Sequence, residues 1–156
     1  MRIHLCVVGR LRAGPERDLV DDYTKRFDRT GRALGLGPLR VIEVEDRKGG
    51  GMAAEADLLR RALPSGARLC VLDERGSLVT SPDFADELAK RRDGGVQDMA
   101  FLIGGADGID PGLRAEADMA LSFGKMVWPH MLVRVMLTEQ LYRAASILAG
   151  SPYHRV

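Results

Sequence analysis

The chain has 156 residues, 46% apolar and 29% charged, with 23 basic against 22 acidic side chains. That size suits a single domain, 1–156, able to bury a full core, and the composition excludes a disordered chain. A formal charge of +1, with four Phe, three Tyr and one Trp, excludes coating of nucleic acid by bulk phosphate neutralisation or by a broad stacking surface.

Ile3 to Gly9 (I-H-L-C-V-V-G) is an unbroken apolar run, the pattern of a strand buried on both faces. Pro15 suits a helix start, and Leu19, Val20, Tyr23 and Phe27 recur at helical spacing in a stretch reaching about Leu34. Gly35-Leu-Gly-Pro38 breaks it, and Leu39 to Val44 reads as a second strand. Asp46 to Gly51 (D-R-K-G-G-G) is too glycine-rich and charged for regular structure and reads as a mobile loop. Ala53 to Leu63 is helical, and Arg68 to Asp73 is a third strand. Ser81 as N-cap, followed by Pro82, opens a helix to about Arg92. Met99 to Ile103 is the fourth and most apolar strand. Asp110-Pro111 opens a short helix through about Asp118, and Ala120 to Phe123 is a short fifth strand. The last helix runs from about Met131 to Ala149, with Val133, Leu137, Leu141 and Leu148 apolar and Glu139 and Arg143 four apart on a more polar side. This alternation predicts an α/β fold, a mainly parallel sheet with helices on both faces and right-handed crossovers.

No apolar stretch reaches the roughly 18 residues of a membrane span, and the longest is cut by Arg134. The N-terminus runs directly into a strand pattern, with no leader signature. Cys6 and Cys70 both lie in apolar runs and read as buried thiols of a reducing compartment. The expectation is a cytoplasmic protein without a membrane partner.

In parallel sheets, ligands sit beyond the carboxyl ends of the strands, so the turns there carry the chemistry. Gly9-Arg-Leu-Arg-Ala-Gly14 has the glycine spacing of a Walker loop, but Pro15 and Glu16 stand where the phosphate-binding Lys and magnesium-binding Ser or Thr belong. Asp73-Glu74, after the third strand, suits a ligand hydroxyl and a turn cap equally. Gly104-Gly105-Ala-Asp-Gly108 packs three glycines behind the most buried strand, which lets backbone approach a ligand closely. Phe123 to Pro129 is too short and mixed for a regular element. Its Met126, Val127 and Trp128 suit the wall of a flat-ring site or simple core filling. His4, His130 and His154 lack metal-ligand spacing, so no metal is expected. No motif marks a covalent nucleophile. Tyr153-His154-Arg155, at the chain end, can stack on a base, exchange a proton near neutral pH and bind phosphate; the plain alternative is a polar tail.

Taken together, Leu102-Ile-Gly-Gly-Ala-Asp-Gly108, Leu121-Ser-Phe-Gly-Lys-Met126, Pro129-His130, Leu132-Val-Arg-Val135, Glu139-Gln-Leu-Tyr-Arg-Ala144 and Pro152-Tyr-His-Arg155 resemble one family end to end. It is the SPOUT-class RNA methyltransferase family that modifies a pseudouridine at N3 in large-subunit (23S) ribosomal RNA. The resemblance implies a C-terminal trefoil knot and a homodimer acting on the assembled ribosome. It also implies S-adenosylmethionine held by Leu72, Gly104, Gly105, Phe123, Gly124, Lys125, Met126, Val127 and Trp128. In such a protein Tyr153, His154 and Arg155 help to complete the partner protomer's active site, with Arg143 near the methyl-transfer point. Tyr153 would then pack on the target nucleotide. Arg155 or Arg143 would stabilise developing charge, and His154 or water would take the proton. Two alternatives stay open: a SPOUT methyltransferase acting on transfer RNA, and a ribosome-associated cofactor-binding module without turnover.

Overall fold

The computed structural model describes residues 1–155. Five strands form one all-parallel sheet: β1 (Arg2–Val8), β2 (Leu39–Val44), β3 (Arg68–Leu78), β4 (Asp98–Ile103) and β5 (Met119–Ser122). Their spatial order is β2-β1-β4-β3-β5. The connecting helices are α1 (Pro15–Gly31), α2 (Gly51–Ala62), α3 (Ser81–Asp93), α4 (Pro111–Glu116) and α5 (His130–Leu148). No helix is long and apolar enough to cross a membrane among the described residues.

β4 and, after its exposed first residue Arg2, β1 are buried along their length, as their predominantly apolar runs require. Successive side chains alternate between faces, so each strand feeds two cores. Ile3, Leu5, Val7, Met99, Phe101 and Ile103 pack with Phe27, Phe84, Leu88, Leu137 and Leu141, that is, beneath α1, α3 and α5. Cys6, Val8 and Leu102 point the other way, into Ala56, Leu59 and Leu113 of α2 and α4. Both cysteines are buried and unbridged. Burial pushes the Cys6 thiol up to about 11 and that of Cys70 to about 12, so neither is a nucleophile near neutral pH.

Element ends differ from the sequence reading in instructive ways. Pro15 does open α1, but Leu19 is exposed and the buried face is Val20, Phe27 and Gly31, with Tyr23 half-buried. α2 starts at Gly51, ahead of Ala53. α4 stops at Glu116, before Asp118. The cap of α3 is Thr80, whose Oγ1 accepts from the Asp83 amide at 3.2 Å. Ser81, expected in that role, lies inside the helix and donates to Gln140 Oε1 of α5 at 2.7 Å. The third strand does not end at Asp73. Leu72 and Ser77 both pair with Leu121, so residues 73–76 loop out and the ladder then resumes. Gly76 permits this: a Cβ there would meet the Ala120 and Leu121 backbone at 2.7–2.8 Å. Charged residues followed by glycine read as a turn, and only the neighbouring strand reveals a bulge.

At the amino ends of β1 and β4, Arg2 donates two bonds to the Asp98 carboxylate, at 2.7 and 2.8 Å, and His4 Nε2 lies 2.8 Å from it. His4 thus has a structural role, joining β1 to the start of β4. The Arg2 and His4 hydrogen bonds hold the Asp98 carboxyl well below the usual carboxylate range. A depressed folded pKa stabilises the fold above the unfolded value of about 4 and loses that contribution as pH falls further. Asp98→Asn is therefore expected to lower the denaturation midpoint at pH 7, with the gap to the parent closing as the pH falls well below 4. Urea melts across that range check it; a pH-independent gap would contradict the ionic reading.

Candidate active site

The carboxyl ends of β3, β4 and β5 open onto a cleft of about 860 Å³, within the range of small-molecule and cofactor sites. Its floor is backbone. A Cβ on Gly104 would collide with the Gly108 carbonyl, and Gly105 and Gly108 pair as an isolated bridge, so the 104–108 turn folds tightly on itself. Gly124, at φ +125°, turns the chain out of β5 in a conformation that side-chain-bearing residues avoid. Ser122 Oγ pins that turn, 2.9 Å from the Gly124 carbonyl and 3.1 Å from its amide. Beyond it, Met126, Val127 and Trp128 stand exposed as one wall, with Leu72, Ile103 and Val133 lining the interior.

The looped-out segment of β3 forms the polar edge. Asp73 is buried against Arg75 and Arg114. Burial works against ionisation, but the Arg75 and Arg114 contacts outweigh it and the carboxyl stays below its ordinary range. Glu74, beside it, is exposed and is the acid open to a ligand hydroxyl. A shallower hollow of about 650 Å³ adjoins the cleft, shares Asp107 with it, and is lined by Glu45, Asp46 and Glu55.

At the head of α5, His130 lines the cleft, and Arg134, one turn on, lies behind it. Arg134 is 1% exposed. Its Nη2 donates to the carbonyls of Val8 at 2.7 Å and Gly9 at 2.8 Å, and its Nη1 lies 3.2 Å from Glu43 Oε2. The same carboxylate accepts from the Leu11 amide at 2.6 Å. One guanidinium thus ties α5 to the β1–α1 turn and to β2. The Gly9–Gly14 stretch is consequently a clamped structural turn, consistent with its lack of a Walker lysine. In the sequence Arg134 stands as a break in an apolar run and within the Leu132-Val-Arg-Val135 motif, neither of which assigns it a partner. The usable signal was a lone arginine between Val133 and Val135, because a buried cation requires partners.

Of the residues expected to hold a cofactor, Leu72, Gly104, Gly105, Phe123, Gly124, Met126, Val127 and Trp128 all line this cleft. Lys125 is exposed and does not line it. The tail residues gather elsewhere. Tyr153 Oη donates to Glu139 Oε1 at 2.9 Å, and its ring lies 4.6 Å from that of Tyr142 and 4.8 Å below the Arg143 guanidinium. Burial, then Glu139, pushes the Tyr153 hydroxyl well above its ordinary range, so it remains a donor at neutral pH. Arg143 donates to Glu139 Oε1 at 2.6 and 3.0 Å and to His154 Nδ1 at 3.1 Å. With Nδ1 accepting, a neutral His154 carries its proton on Nε2. Arg155 is exposed. This cluster is anchored on Glu139 and Arg143, about 14–20 Å down α5 from His130 at 1.5 Å per residue, and none of its members lines the cleft of its own chain.

A family model described as "Predicted SPOUT methyltransferase" matches residues 1–154. The chain belongs to the SPOUT methyltransferase family. It is 73% identical over 156 residues, the whole of both chains, to "Ribosomal RNA large subunit methyltransferase H" of Ruegeria sp. (strain TM1040) and of Dinoroseobacter shibae. The same-named protein of Roseobacter denitrificans is 74% identical over 155 residues, 99% of each chain. Among solved structures, the SpoU methyltransferase AviRb from Streptomyces viridochromogenes, in complex with AdoMet, is 17% identical with a TM-score of 0.44. That match covers 96% of this chain and 59% of the other.

Proposed function

We propose that this SPOUT-family chain is an S-adenosylmethionine-dependent methyltransferase of the cytoplasm that methylates N3 of a pseudouridine in large-subunit ribosomal RNA. The observation that carries this reading is the glycine-floored, apolar-walled cleft in a chain alike from end to end to relatives named for ribosomal RNA methylation.

The cleft's donor set suits the cofactor. Gly104 and Gly105 carry no side chain and so let the backbone approach a ligand, and an added Cβ would meet the Gly108 backbone at the first and the Glu55 carboxylate at the second. Met126, Val127 and Trp128 offer apolar surface to a flat base, and Glu74 offers an acceptor to ribose hydroxyls. When bound, S-adenosylmethionine supplies an electrophilic methyl group on a positively charged sulfur. The chain's own contribution is proximity and orientation, together with water exclusion by the 126–128 wall.

The tail's place on α5 supports a dimer in which each tail serves the partner's cleft. Met126 and Val127 are 74% and 78% exposed, and Trp128, Met131 and Leu132 continue the apolar surface onto α5. Contiguous apolar surface of this kind marks an interface. Threading of the C-terminal segment as a trefoil knot belongs to the same proposal. Across that interface Tyr153 packs on the target nucleotide, and Arg143 and Arg155 hold RNA phosphate and offset charge on the base. His154, with Nδ1 occupied by Arg143, presents an N–H, so the N3 proton passes to water.

Incubating the protein with methyl-labelled S-adenosylmethionine and either whole ribosomes, isolated subunits or transfer RNA decides the substrate. Label is expected in large-subunit RNA of whole ribosomes, mapping to one pseudouridine. Label in transfer RNA alone, or none anywhere, would overturn the reading.

A further inference from the structure

We propose that His130 is a neutral hydrogen-bond donor to the target base, its Nε2–H meeting the carbonyl oxygen that gains negative charge as N3 loses its proton. This rests on the methyltransferase reading and adds to it a residue from the chain that also forms the cleft.

His130 lies at the first position of α5, on the cleft wall next to Pro129. Its Nδ1 is buried and has no hydrogen-bond partner among the described residues. Its Nε2 has no partner among the described residues either, yet is absent from the buried set, and His130 lines the cleft. A buried N–H without an acceptor is much rarer than a lone pair without a donor. The proton of the neutral ring therefore belongs on Nε2, the nitrogen left accessible to a ligand. Burial, and then the Arg134 guanidinium, lower the His130 pKa below its ordinary value and so favour the uncharged ring. Arg134 and the ring also share a neighbour. An added Cβ on Gly9 would lie 3.6 Å from Arg134 Nη2 and 4.0 Å from His130 Cε1, so both side chains pack over the clamped end of β1.

The chemistry needs such a donor. N3 of the base gives its proton to water, and its electron pair forms the bond to the methyl carbon. The pair of the broken carbon–sulfur bond stays on sulfur, leaving a neutral thioether. Between proton loss and bond formation, the excess charge sits on the two carbonyl oxygens that flank N3. A preorganised donor aimed at one of them stabilises that charge at no reorganisation cost, and removing one such donor typically slows an enzyme about 10²–10³-fold.

The test is single-turnover methylation of ribosomes lacking this modification, by full-length His130→Leu and His130→Gln proteins, with S-adenosylmethionine affinity measured by calorimetry and folding by thermal melts. The amide of glutamine reaches the Nε2 position; leucine carries no donor. Leucine is expected to slow transfer about 10²-fold or more at saturating ribosome, with cofactor affinity within about threefold, and glutamine to recover at least about tenfold of the loss. If the leucine protein does not fold, His130→Asn replaces it, its amide falling a bond short, and is expected to be about tenfold slower than glutamine. Equal rates for leucine and the parent, or for glutamine and the donor-deficient variant, would overturn the proposal. So would a loss accounted for entirely by weaker cofactor binding. A parent protein inactive on ribosomes would instead sink the methyltransferase reading, which separates the two failures.

Discussion

Removing Tyr153 to Val156 is expected to reduce methyl transfer to ribosomes about 10³-fold or more while S-adenosylmethionine affinity stays within about threefold. The cleft is built from the β3 bulge, the 104–108 turn and the 123–130 segment, and no tail residue lines it. The tail is held on α5 by a compact polar knot of Glu139, Arg143, Tyr153 and His154, with Tyr142 beneath. Those contacts present an aromatic face, an imidazole N–H and a guanidinium at a fixed spot remote from the chain's own cleft. Such an arrangement acts if a second copy brings its cleft to it. Mixing a tail-deleted chain with a Gly104→Val chain checks this directly. The first keeps a cleft and the second keeps a tail, so mixed dimers are expected to regain one working site. No recovery in mixed dimers, or loss of cofactor binding on tail deletion, would contradict the arrangement.

The second large effect is on stability. Arg134→Met is expected to cost about 3–5 kcal/mol, the range for breaking a buried charge pair by removing one partner. Methionine fills much of the volume but strips donors from the Val8 and Gly9 carbonyls and leaves Glu43 without its cation. Glu43 is about a third exposed, so water relieves part of its loss, whereas the Val8 carbonyl is deep in the core. At roughly 2–4 °C per kcal/mol for a chain of this size, the thermal midpoint is expected to fall by about 6–20 °C. Glu43→Gln keeps an acceptor for the Leu11 amide and is expected to cost much less. A thermal midpoint for Arg134→Met within about 2 °C of the parent would refute the clamp.

Much of the architecture was legible because burial leaves a direct imprint on local pattern. Two strands covered on both faces need almost wholly apolar runs, and Ile3–Val8, apart from the paired His4, and Met99–Ile103 have them. Pro15 and Pro111 mark helix starts through fixed φ and a missing donor, both local properties of the residue. The cleft was legible for a similar reason. Glycines crowded behind a buried strand are costly in entropy unless backbone must come close to something, and the 104–108 turn does.

Other features depended on partners distant in the chain. A strand that bulges at Asp73 and resumes at Ser77 is defined by its pairing with Leu121. Thr80 and Ser81 are both competent caps, and the choice fell to Thr80 because Ser81 is held by Gln140 of α5. Most telling is α5. Its arginine at position 134 looks locally like an interruption of an apolar stretch, yet it is the most deeply buried charge of the described residues. The amino-acid sequence by itself determined the alternating strands and helices, the glycine turn and the chemistry collected at the tail, because each follows from propensity and periodicity within a few residues. Tertiary structure decided the β3 bulge, the clamp on Arg134, the open nitrogen of His130 and the distance between tail and cleft. Those depend on hydrogen-bond partners that folding alone brings within about 3 Å of one another.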